Sequence, residues 1–91
     1  MDTEQRELFR LALLRIFDAN QTRYGLGLAA LGHLGRSYGF FNSGAPQLER
    51  ELRYLQDKGY IGQLFKTISP ENRVWRITAA GRDFLAELTN E

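Results

Sequence analysis

The chain has no cysteine, and its 91 residues hold two prolines, one methionine, one tryptophan and one histidine. Without cysteine there is neither a disulfide framework nor a thiolate metal site. A chain of this length must then hold itself together by an economical core. The single histidine, His33, has no cluster of carboxylates around it from which to build a zinc site. No supporting motif joins it to Ser37, Ser43 or Ser69 as a nucleophile and base. His33 therefore reads as a packing or surface residue.

Long apolar runs are missing too, so nothing approaches the length that spans a bilayer. The amino-terminal MDTEQRELFR is acidic and polar before its first apolar residues, unlike a signal peptide. The stretch from Gly25 to Gly32 has three glycines at the wrong spacing for a nucleotide loop and no preceding βαβ unit, and no P-loop is present. There is no internal repeat or low-complexity segment. The expectation is one soluble domain over residues 1–91 in a cytoplasmic setting, with no cofactor and no enzymatic activity.

What is present is ordinary in amount and informative in order. The apolar fraction is 43%, the charged fraction 25% and the net charge +1. Arg23, Arg36, Lys66, Arg73 and Arg76 make the middle of the chain mildly basic, while both ends are mildly acidic. A polyanion would meet the middle.

Residues 4–19 carry Leu8, Phe9, Leu11, Ala12, Leu14, Ile16 and Phe17 at helical spacing, with Thr3 or Asp2 as the cap. Leu13 lies off the main stripe, which fits either a central helix covered on several sides or a dimer contact through a spare face. A connection follows, with a short extended piece at Arg23–Tyr24. Leu28, Leu31 and Leu34 then support a second helix over Leu28–Arg36, in which Gly32 and Gly35 allow close packing. The segment RSYGFFNSGAP is a loop anchored by Phe40 and Phe41, with Ser43 as cap and Pro46 in the first turn of the next helix.

That third helix, about residues 45–58, places Leu48, Leu52 and Leu55 on one face and ends at Gly59, where a left-handed residue is wanted. IGQLFKTI and RVWRIT follow as strands around the turn Ser69-Pro70-Glu71-Asn72. In the second strand Trp75 and Ile77 point one way, Val74 and Arg76 the other. A bulge is expected at Gly62. Thr78 caps a last helix whose Phe84, Leu85 and Leu88 return to the core. The fold class expected is mainly α with a small β-hairpin: three helices, a two-stranded wing and a C-terminal helix.

Two patterns stand out in this order. One is a leucine ladder closed by glycine and two strand-forming residues: Leu48, Leu52, Leu55, Gly59, Tyr60 and Ile61. The other, after the hairpin, is Ile77, Thr78, Gly81 and Leu85. Over about residues 25–88 the chain resembles the winged-helix (winged helix-turn-helix) DNA-binding domains of small bacterial and phage transcription regulators. The connection between its second and third helices is longer than a minimal helix-turn-helix turn.

The resemblance implies a transcription regulator that docks its third helix in the major groove of double-stranded DNA. The wing, about residues 61–78, would lie on the backbone. With the leucines inward, a 100° step turns Pro46, Arg50, Arg53, Tyr54 and Asp57 outward, with Gln47 beside them. Arginine suits guanine and glutamine suits adenine. Lys66 and Arg73 in the wing and Arg36 at the end of the second helix suit phosphates.

Against this, Glu49, Glu51 and Asp57 cancel Arg50, Arg53 and Lys58 on the same helix. Glu49 is placed to pair with Arg53 four residues on. That near-neutrality leaves a second class of function open, a protein–protein interaction module in a larger assembly. A homodimer is expected through the first helix, the last helix or both, with Leu13 and Phe17 as contacts.

Overall fold

The computed structural model describes residues 2–20, 25–37, 39, 44–64 and 73–89. Among these the chain forms four helices and three short strands: α1 (Thr3–Ala19), β1 (Leu26–Gly27), α2 (Leu28–Ser37), α3 (Ala45–Asp57), β2 (Ile61–Gln63), β3 (Val74–Ile77) and α4 (Ala79–Thr89). No helix among the described residues is long and apolar enough to cross a membrane.

Asp2, rather than Thr3, caps α1. Gln5 N–H donates to Asp2 Oδ1 at 2.8 Å, and Asp2 N–H reaches Gln5 Oε1 at 3.4 Å. This reciprocal box satisfies donors that a helix start leaves open. Phe9, Ala12, Leu13, Leu14, Ile16 and Phe17 are all buried, a wider surface than one stripe provides. The reason is that α1 meets α2, α3, α4 and β3, so several of its faces are covered. Leu13 and Phe17 are 0% and 2% exposed, which removes them as dimer contacts. The spare apolar face of α1 belongs to the core of its own chain.

The sheet differs from the expected hairpin. It has three antiparallel strands in the order β1-β3-β2. Arg23 and Tyr24, the expected extended piece, lie outside the described residues, and the strand is Leu26–Gly27. Gly25 makes the approach possible. Its φ is +75°, and a Cβ there would sit 2.7 Å from the Trp75 carbonyl oxygen. In sequence, two residues, one of them glycine, carry no alternation from which a strand can be read.

On the other edge, β2 pairs in unbroken register, Ile61 with Ile77, Gly62 with Arg76 and Gln63 with Trp75. The expected bulge at Gly62 is absent. Leu64 N–H continues the ladder to the Val74 carbonyl at 3.0 Å. Along β3, Trp75 and Ile77 are buried and Arg76 exposed, the alternation a pleated strand requires. The turn at Ser69–Asn72 lies outside the described residues.

Gly44, not Ser43, occupies the cap position of α3, with Pro46 in the first turn. Ser43, Phe40 and Phe41 lie outside the described residues. At the far end Gly59 has φ +81°. Its N–H bonds the Gln56 carbonyl, and Tyr60 N–H bonds the Leu55 carbonyl, both at 3.0 Å. These two bonds close the helix and aim the chain into β2.

The start of α4 is built on the same corner. Thr78 hydroxyl donates to the Gly59 carbonyl at 2.6 Å and accepts from Gly81 N–H at 3.0 Å. Gly81 passes so close that a Cβ would lie 2.1 Å from the Tyr60 carbonyl oxygen. Tyr60 and Phe84 stack beside it with ring centroids 4.5 Å apart. The Thr78–Gly81 spacing is thus a packing requirement of this corner.

Gly32 and Gly35 behave differently. A Cβ added at either meets nothing within 4 Å, so the expected close packing of α2 through its glycines does not occur among the described residues. Opposite effects follow. Gly81→Ala should lower stability by about 3 kcal/mol through overpacking against backbone. Gly32→Ala should raise it by about 0.5–1 kcal/mol, because alanine restricts the unfolded chain and favours the helix. Urea midpoints of the two variants, compared with the parent, check both signs.

Candidate nucleic-acid interface

The leucine ladder sets how α3 is turned. Leu48, Leu52 and Leu55 are 5%, 1% and 1% exposed, so the opposite face looks into solvent. Pro46, Arg50, Arg53 and Asp57 are exposed there, with Glu49 on one flank. Arg50 and Arg53 stand three residues apart, about 4.5 Å along the axis. Neither makes an ion pair among the described residues, and the expected Glu49–Arg53 pair does not form. Both guanidiniums keep their full set of donors for a partner.

Glu51 behaves unlike the solvated helix charge expected of it. Its side chain is fully buried. Arg6 Nε donates to its Oε1 at 3.1 Å, Arg10 Nε donates to its Oε2, and Gln47 Nε2 donates to its Oε1 at 3.1 Å. A carboxylate taken out of water needs such partners, and two arginines four residues apart on one helix face supply them. The sequence held a usable signal. On a helical wheel Glu51 falls beside Leu48 and Leu55 rather than opposite them, and Arg6 and Arg10 share a face of α1.

This inward turn changes the charge of the outward surface. With Glu51 withdrawn, Arg50 and Arg53 stand with Glu49 and Asp57 on the exposed part of α3, while Lys58, just past the helix, lies toward Tyr54 on the other flank. That face is balanced in formal charge, and without the burial of Glu51 the exposed part of the helix would carry one more acid.

The remaining candidates divide between the two flanks of α3. Gln47 is half-buried and its amide is committed to Glu51. Tyr54 is 38% exposed, with the Arg10 guanidinium carbon 3.6 Å from its ring centroid and Lys58 Nζ 5.7 Å away. Such a stack is a cation–π contact. Both residues are drawn toward α1.

On the other flank, Arg53 and Arg73 line one cleft of about 270 Å³ between α3 and the sheet, together with Glu49, Asp57, Gln56, Gln63 and Trp75. Trp75 Nε1–H donates to Gln56 Oε1 at 3.0 Å, tying the end of α3 to β3. Arg73 is half-buried, and its Nε has no hydrogen-bond partner among the described residues. Arg36 is exposed in the last turn of α2, where a cation also suits the helix dipole. Lys66 lies outside the described residues. The structure therefore brings Arg53 and Arg73 together, keeps Arg50 outward beside them, and assigns Gln47 and Tyr54 to the α1 contact.

The arginines holding Glu51 differ in exposure, 37% for the Arg6 side chain and 18% for Arg10. Solvent screening leaves the outer pair worth under about 1 kcal/mol. Arg10→Ala should therefore destabilise more than Arg6→Ala, by about 2 kcal/mol in all, since it also strips the cation from Tyr54. Chemical denaturation of the two variants reads the order directly.

Comparisons with protein-family models, with curated proteins and with solved structures gave no match to this chain.

Proposed function

We propose that this chain is a winged-helix DNA-binding protein, a transcription regulator that sets α3 in the major groove and residues 61–78 along the flanking backbone. One observation carries the reading. The exposed face of α3 holds Arg50 and Arg53, which make no ion pair among the described residues, while Glu51 of the same helix is buried against Arg6 and Arg10. A guanidinium needs no rearrangement to offer two donors to guanine O6 and N7 when no carboxylate holds it.

The winged-helix part of the reading draws support from the succession of α2, α3, the paired strands β2 and β3, and α4. β1 is an addition to the expected pattern. It widens the sheet on the edge of β3 away from β2, and Arg50 and Arg53 on α3 remain exposed.

In this reading Arg50 and Arg53 read bases. Arg73, beside Arg53 in the cleft, and Arg36, at the end of α2, contact phosphates, which give affinity without sequence information. Lys66 has the same role in the wing. A second reading, an interaction module within a larger assembly, rests on an apolar groove between α1, α3 and α4.

Selection from random duplexes separates these readings. The parent should enrich one sequence. Arg50→Ala or Arg53→Ala should each lower preference for it by about 1–3 kcal/mol while leaving binding to random duplex nearly intact. Enrichment of no sequence would overturn the regulator reading in favour of the interaction module. Enrichment unchanged in both variants would keep DNA binding and reject this face of α3.

Arg73→Ala has a different signature. It should weaken binding to all duplexes alike and reduce the slope of log K against log salt by about one. Titrations at several salt concentrations measure that slope.

A further inference from the structure

Three large apolar side chains stand exposed among the described residues: Leu8 at 54%, Leu88 at 46% and Tyr54 at 38%. They come from three different helices and line one groove of about 400 Å³, whose floor includes Leu11, Tyr60 and Phe84. Scattered surface leucines are ordinary, but a contiguous apolar groove is not.

The charges around it are arranged by end. Arg6 reaches Glu51 on α3, and Arg10, one turn further on, reaches Glu51 and covers Tyr54. α1 and α3 therefore advance in the same direction along the groove. Glu4 and Glu7 stand on its rim at the amino-terminal end of α1, and Lys58, past the last turn of α3, stands at the opposite end. Leu14, which lines the groove with Leu55 and Lys58, is about 10 Å along the helix from Glu7. Arg10, between them, is already held by Glu51. The groove is acidic at one end, apolar in the middle and basic at the other.

We propose that this groove is a self-association surface whose occupant is the same groove of a second copy of this chain. A twofold axis near Leu8 and Leu11 lays the acidic end of each copy on the basic end of the other. Leu8 and Leu88 are buried between them. Isologous contacts require this self-complementarity. An acidic or a basic partner would be matched by one end and repelled by the other. The contact uses neither Arg50 nor Arg53, so it stands apart from the DNA reading and leaves that face of α3 open.

Sedimentation velocity on the full chain, from about 1 to 100 µM, tests it. The parent should pass from monomer to dimer within that range. Leu8→Gln and Leu88→Gln should each raise the dissociation constant at least about tenfold, as loss of a central apolar anchor does. Both positions are exposed in the monomer, and circular dichroism with a urea midpoint reports that each variant folds.

Charge reversal supplies the second arm. Glu7→Lys alone and Lys58→Glu alone should each weaken the dimer, and the double variant should restore it. A parent that stays monomeric throughout overturns the proposal and gives the groove to a different partner. So does a dimer that neither leucine variant disturbs. A double variant that fails to recover overturns the end-to-end arrangement.

Discussion

A charge cannot leave water alone, and the burial of Glu51 is the constraint around which α1 and α3 are arranged. Its carboxylate is fully buried, with Arg6, Arg10 and Gln47 as donors. An unpaired carboxylate in that position would cost several kcal/mol. The three leucines of α3 would tolerate some rotation of the helix about its axis, because apolar contact is not directional. Glu51 does not tolerate it. A turn of the helix would separate the carboxylate from both arginines, so the ion cluster defines which residues face solvent.

That has a functional side. The face left to solvent carries Arg50 and Arg53, and the acid removed from it is the one that would have stood nearest in sequence to both. Burial of one charge thus leaves two arginines facing two acids, Glu49 and Asp57, on the exposed part of the helix. The same cluster holds Arg10 over Tyr54, shaping the wall of the apolar groove on the other flank of α3. The two surfaces proposed for partners share one internal support and do not overlap in the residues that define them.

The corner where α3 meets the sheet is the second fixed point. Gly59, Tyr60, Thr78 and Gly81 are joined by backbone and hydroxyl hydrogen bonds over a very close backbone approach. Trp75 adds a bond from β3 back to Gln56. Together these hold β3, and Arg73 directly before it, in a set relation to Arg53 across their shared cleft.

Much of this was legible in the residues. Helical spacing, the leucine ladder, Gly59 as a helix end and Thr78 as a cap are local signals, since each depends on neighbours within one or two turns. They determined where the four helices fall, which face of α3 is apolar, and, through the alternation of a strand, that Trp75 and Ile77 share one face. Tertiary structure alone decided the rest. β1 has two residues and exists because Gly25 lets the chain lie against Trp75. Leu13 and Phe17 are core because four elements surround α1. Glu51 is buried because Arg6 and Arg10, more than forty positions earlier in the chain, arrive to neutralise it. A sequence displays the periodicity of one element at a time, whereas the partner of a buried charge is set by which faces of distant elements meet.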